Sequence, residues 1–99
     1  MGRIHYLSVY GANRIEAADT VPDYSACEDF LQGGREFVWV MYEGKRTCML
    51  VNENGIALSL PINRAATEIY RAWPRKKQMD VKDLHIHGNA MVLEDIAIE

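Results

Sequence analysis

The stretch "EFVWVMYEGKRTCMLVNENGIALSLP", residues 36–61, decides the fold. Its opening EFVWVMYEG is apolar and aromatic almost without a break, which predicts a strand buried on both faces. Gly44 marks a turn, so RTCMLVNENG returns as the second arm of a hairpin. Asn54 followed by Gly55 is a strong short-range hairpin signal, because both central positions of a type I′ turn need positive φ. IALSLP is therefore expected to return as a third antiparallel strand, ended by Pro61.

Upstream, RIHYLSVYG and NRIEAADTV read as two short strands broken at Gly11. PDYSACEDFLQGG reads as a helix with Ser25 and Glu28 in a capping box, Phe30 and Leu31 inward, and Gly33 as the stop. Downstream, Ile62, Ala65, Ala66, Ile69, Tyr70 and Trp73 recur at helical period, and Pro74 blocks continuation. Asn63 stands where an N-cap belongs, worth ~1 kcal/mol. Arg64, Thr67, Glu68 and Arg71 fall on the outer face. PRKKQMDVKD reads as a polar loop, and LHIHGNAMVLEDIAIE as a closing strand interrupted at Gly88. The expected order is ββαβββαβ: an α+β domain spanning 1–99, with a mainly antiparallel sheet and two helices on one of its faces.

Composition narrows the function. The chain has 99 residues, 48% of them hydrophobic and 25% charged, the profile of one folded domain. No apolar run approaches the ~20 residues of a membrane span, and the N-terminus lacks a signal-peptide h-region, so a location in the cytosol is expected. Cys27 and Cys48 stand alone without CxxC spacing and read as buried thiols. The net charge of -3 gives no global pull toward nucleic acid. Locally, however, Arg64, Arg71, Arg75, Lys76, Lys77 and Lys82 face only Glu68 and Asp80.

His85 and His87 are two apart, which on a strand places both on one face. No third metal ligand is evident, Asp83 being equally a turn residue, so no metal and no cofactor are expected. Neither a nucleophile elbow, a zincin motif nor a phosphate-binding glycine loop occurs, and binding is expected in place of catalysis. The helix start Asn63-Arg64, with Asn52, Asn54 and Ser59 nearby, is a candidate anion site: free N–H groups and a guanidinium for phosphate, amides for a sugar or base edge. Caps and turns account for every one of the same residues, and that plainer reading is the favoured one. Arg71, Arg75, Lys76 and Lys77 form a candidate basic patch for nucleic acid, though no aromatic ladder accompanies them.

The succession "DFLQGGREFVWVM", "LVNENGIALSLPINRAATEIY" and "IHGNAMVLED" within residues 27–94 resembles a family of small domains of unknown function encoded by bacteriophages, prophages and other mobile elements. Its pattern is a glycine pair before a strand, N-E-x-G, L-P-x-N-R-x-A and I-x-G-x-A. The resemblance implies an accessory protein of the bacterial host cytosol that acts by binding, with no assigned catalytic residues. A nucleotide-like signal of host defence is the sharpest ligand expectation; a host protein, or nucleic acid, are the alternatives. Free sheet edges make a homodimer or higher homo-oligomer plausible as well.

Overall fold

The computed structural model describes residues 1–72 and 85–98. Trp73, Pro74, Arg75, Lys76, Lys77 and Asp83, all singled out above, lie outside the described residues. Seven elements follow one another: β1 (Arg3–Leu7), β2 (Arg14–Ala17), α1 (Tyr24–Leu31), β3 (Arg35–Tyr42), β4 (Lys45–Asn52), α2 (Arg64–Arg71) and β5 (Ala90–Glu94). The strands make one antiparallel sheet in the order β2-β1-β5-β4-β3. This is the expected α+β domain with a mainly antiparallel sheet and two helices. β5, the last strand in the chain, enters at the centre and ties the two hairpins together.

The apolar runs of β4 and β5 explain the layering. Side chains alternate across a strand. Cys48, Leu50, Met91 and Leu93 point to one face, where they pack with Ile4, Tyr6 and the α1 residues Cys27 and Leu31. Met49, Val51, Ala90 and Val92 point to the other, where they meet Leu7, Val40, Ile86 and Ala66 of α2. The helices thus lie on opposite faces, not on one. A CMLV or AMVL run buries both of its parities, and one covered face would leave half of them in water. Each fully buried aliphatic contributes roughly 1.5–3 kcal/mol.

Three local readings change as well. β3 is an edge strand, so only Val40 among its residues is fully buried, and Phe37 and Trp39 remain exposed. The cap of α1 is Asp23, whose Oδ1 accepts from the Ala26 amide at 2.8 Å, in place of the Ser25–Glu28 box. The segment 53–59 forms successive turns, and no strand ladder runs through 56–61. The type I′ signature falls instead on Glu43 and Gly44, with φ of 53° and 78°, which close the β3–β4 hairpin. Neither Asn54 nor Gly55 has a positive φ. Beyond the turns, Ile62 makes an isolated antiparallel bridge to His87.

Candidate functional site

Asn52 ends β4 and begins the site. It is buried, its Nδ2 donates to the carbonyls of Leu31 (2.9 Å) and Gln32 (3.1 Å), and its Oδ1 accepts from the Asn54 amide at 2.7 Å. That last bond is an Asx-type turn, which bends the chain out of the sheet. Leu58 and Leu60 amides then donate back to the carbonyls of Asn54 (2.8 Å) and Gly55 (3.0 Å), folding 53–60 into a compact lobe. The lobe is pinned to the 85–88 segment on both sides of the Ile62–His87 bridge: Asn63 N–H donates to Ile86 O (2.7 Å), and Gly88 N–H to Pro61 O (2.8 Å).

Between this lobe, β3, α2 and the 85–87 segment runs a groove of about 550 Å³, on the face of the sheet that carries α2. Glu36 of β3, Glu53 and Asn54 of the lobe, Tyr70 of α2, and His85 and His87 supply its polar and aromatic lining. The imidazole protons are set by their partners. His87 Nδ1 lies 2.9 Å from Leu60 O and must donate to it, which leaves Nε2 as an acceptor. His85 Nε2 lies 2.9 Å from a guanidinium nitrogen of Arg71 and accepts from it. The two rings stand 6.4 Å apart, edge to face.

The residues singled out in sequence separate. Asn52 and Asn54 line the groove, whereas Asn63, Arg64 and Ser59 do not. Asn63 is the N-cap of α2, with Oδ1 accepting from Ala66 N at 3.0 Å. Its Nδ2 donates to Leu7 O (2.9 Å) and Gly88 O (3.0 Å), so the whole amide is engaged with backbone. Arg64 and Ser59 are exposed, Ser59 at φ 55° within the lobe. Thr67, expected outside, is buried and accepts from Ile86 N at 2.9 Å. Arg71 serves His85, and the rest of the basic patch lies outside the described residues. Among the described residues no three His, Cys, Asp or Glu side chains converge as metal ligands. Both cysteines are buried, and burial pushes the Cys48 thiol up to about 11, far from a thiolate at neutral pH. Among the described lining residues of the groove there is no Ser, Thr or Cys to act as a nucleophile.

Sequence reading missed a second polar cluster on the same face of the sheet. His5 Nε2 lies 2.7 Å from Glu94 Oε1, Arg3 donates to Glu94 Oε2 at 3.1 Å, and the Tyr42 hydroxyl approaches His5 Nδ1 at 3.3 Å. His5 and Glu94 meet only because β5 pairs with β1, and no local motif announces that. The hydrogen bond from His5, with help from Arg3, holds the Glu94 carboxyl below its ordinary range. A depressed carboxyl stabilises the fold above the unfolded value near 4.3, and the contribution fades as pH falls through the folded value. Glu94→Gln is therefore expected to cost about 1 kcal/mol at neutral pH and less at about pH 3, as read by urea unfolding at the two pH values. An equal loss at both would remove the carboxylate from the explanation.

No family model, curated protein or solved structure matches this chain. Among the described residues, no helix is long and apolar enough to cross a membrane. Fold and geometry together define a small α+β domain with a polar groove that has no Ser, Thr or Cys nucleophile among its described lining residues.

Proposed function

We propose that the chain is a non-catalytic binding protein, an accessory domain of the mobile-element kind its motifs resemble, which sequesters a nucleotide-like signal from host defence. The observation that carries this reading is the groove, where four separate segments bring planar rings and hydrogen-bond acceptors together. Its volume falls within the ~300–1,000 Å³ of small-molecule sites. Tyr70 and the two imidazoles offer flat surfaces to a base. Glu36 and Glu53 accept from ring N–H and exocyclic amines, and the Asn54 amide can do either. Two carboxylates repel phosphate, so the groove takes the nucleoside part and the phosphates turn outward toward solvent. This relocates the ligand from the helix start, where the cap consumes Asn63, to the lobe that Asn52 and Asn54 build.

Calorimetric titration with nucleosides, mononucleotides and cyclic dinucleotides tests the reading. Saturable binding of at least one compound is expected, weakened about tenfold in Glu36→Ala with the melting temperature unchanged. Glu36 is exposed on an edge strand, so its removal leaves the core intact. Absence of heat from every compound would overturn the ligand reading. A second reading, inhibition of a host protein, is favoured by one observation: Phe37 and Trp39 stand exposed on the edge strand β3. A host protein retained on the immobilised chain and lost in Trp39→Lys would support it.

A further inference from the structure

The two edges of the sheet differ in kind. β2 has four residues, all exposed, with Arg14 and Glu16 joined at 3.3 Å, the short charged edge that discourages pairing. β3 has eight, REFVWVMY, with no Lys, Pro or Gly and an unbroken register against β4. Among the described residues it pairs with β4 alone. The two-residue turn at Glu43-Gly44 makes Tyr42 and Lys45 a hydrogen-bonded pair, and the alternation of an antiparallel ladder does the rest. Glu36, Val38 and Val40 bond inward to β4, while Arg35, Phe37, Trp39 and Met41 direct their N–H and C=O groups outward.

Those outward positions carry the side chains of an interface core. Phe37 is 42% exposed, Trp39 46%, and Tyr24 of α1, on the same face, 50%. The Arg35 guanidinium lies 5.3 Å from the Tyr24 ring and 5.2 Å from Phe37, and Arg46 lies 4.2 Å from Trp39. Aromatic residues and arginine are what interface cores concentrate.

We propose that β3 pairs antiparallel with β3 of a second copy of this chain, about a two-fold axis that is normal to the sheet and passes between the two Trp39 residues. The occupant follows from charge. With the two Trp39 residues beside the axis, positions equally far from them face each other, so at both ends Arg35 comes near Glu43 of the partner's β3–β4 turn, Phe37 meets Met41 and Glu36 meets Tyr42. The neighbouring register, centred on Val38, sets Glu36 against Val40 and moves Arg35 away from Glu43 to lie opposite Met41, while in either register Arg35 keeps its own-chain contacts to Pro22 O and Cys27 Sγ, both at 3.4 Å. Opposite charges brought close across such a seam favour it. The strand is thus complementary to itself in one register. Pairing joins two five-stranded sheets into one and places both grooves on a common face.

Light scattering across a roughly hundredfold dilution series of the full chain tests this. The expected mass is twice 11.3 kDa, with dissociation on dilution. Trp39→Lys puts two like charges beside the axis and is expected to raise the dissociation constant at least about a hundredfold, with an unchanged circular dichroism spectrum. Glu43→Lys sits on an exposed turn away from the core and sets Lys against Arg35; a rise of about tenfold is expected. A monomer throughout the series, or a dimer undiminished by either substitution, would overturn the proposal. Glu36 and Val38 of β3 line the groove, so the nucleotide titration is repeated on the Trp39→Lys chain, whose monomer reads the groove separately from the pairing.

Discussion

Asn63→Asp is expected to destabilise the fold by about 3 to 5 kcal/mol at neutral pH, a large part of the roughly 5–15 kcal/mol available to a domain. The side chain is 1% exposed. Both of its Nδ2 protons are spent on carbonyls, of Leu7 and Gly88, and its oxygen caps Ala66 N–H. Aspartate has the same shape but no donor. It keeps the cap and sets an oxygen against two carbonyl oxygens at about 3 Å, with no water to intervene. The site therefore favours the protonated acid, which restores one donor. A carboxyl whose folded pKa is raised leaves the fold intact below its unfolded value near 3.9 and costs stability as pH rises above it. The difference from the wild-type chain should consequently shrink at about pH 3.5 and widen toward 7. Urea unfolding at both pH values reads this. A loss below about 1 kcal/mol at neutral pH would mean that the knot between β1, α2 and the Gly88 segment carries little of the stability.

Asn63 also shows which parts of the fold were legible in sequence. An amide before an apolar helical stripe, with Pro61 just upstream, located the start of α2 to the residue. Gly44 located the β3–β4 turn. Both are local signals, settled by a few neighbouring residues. The misreadings came from signals whose meaning depends on distant chain. Asn54-Gly55 resembles a type I′ turn, but the Asn54 amide is captured by Asn52 Oδ1, and Gly55 is needed for closeness to His87. The apolar run of β3 looked central; it is an edge because β5 inserts between β1 and β4. The runs in β4 and β5 bury both parities and so require a helix on each face, which both helices on one face cannot supply. Of the site, Asn52 and Asn54 were legible as turn residues. Glu36 joins them through the β3–β4 ladder, and Tyr70 and the histidines through the tie between residues 60–63 and the 85–88 segment, contacts between distant parts of the chain that no periodicity marks. The aromatic edge was hidden for the same reason as the position of β3.

Gly55→Ala is expected to open that groove while leaving the rest of the fold in place. A Cβ at position 55 would lie 2.5 Å from the His87 carbonyl oxygen and 3.1 Å from His87 Cβ, so the lobe or the 85–88 segment must move. Conformational strain is not the cause, since Gly55 lacks a positive φ and alanine can adopt its backbone. Stiffening the unfolded chain would even favour alanine by about 0.4–1 kcal/mol, which offsets part of the clash. Overpacking of this kind costs about 1–3 kcal/mol, leaving a net loss of at most about 2.6. Separation of the two segments stretches the His87–Leu60 bond and the Ile62 bridge, so the His87 ring protons should shift in the NMR spectrum while those of His5, at the other cluster, stay put. If the groove is the binding site, ligand affinity falls far more than stability does, and self-association through the outer edge of β3 is untouched. An alanine variant that binds as tightly as the parent would show that the lobe and the histidine segment need not touch for recognition. The ligand surface would then have to be sought on the open side of Glu36 and Tyr70, away from the bridge.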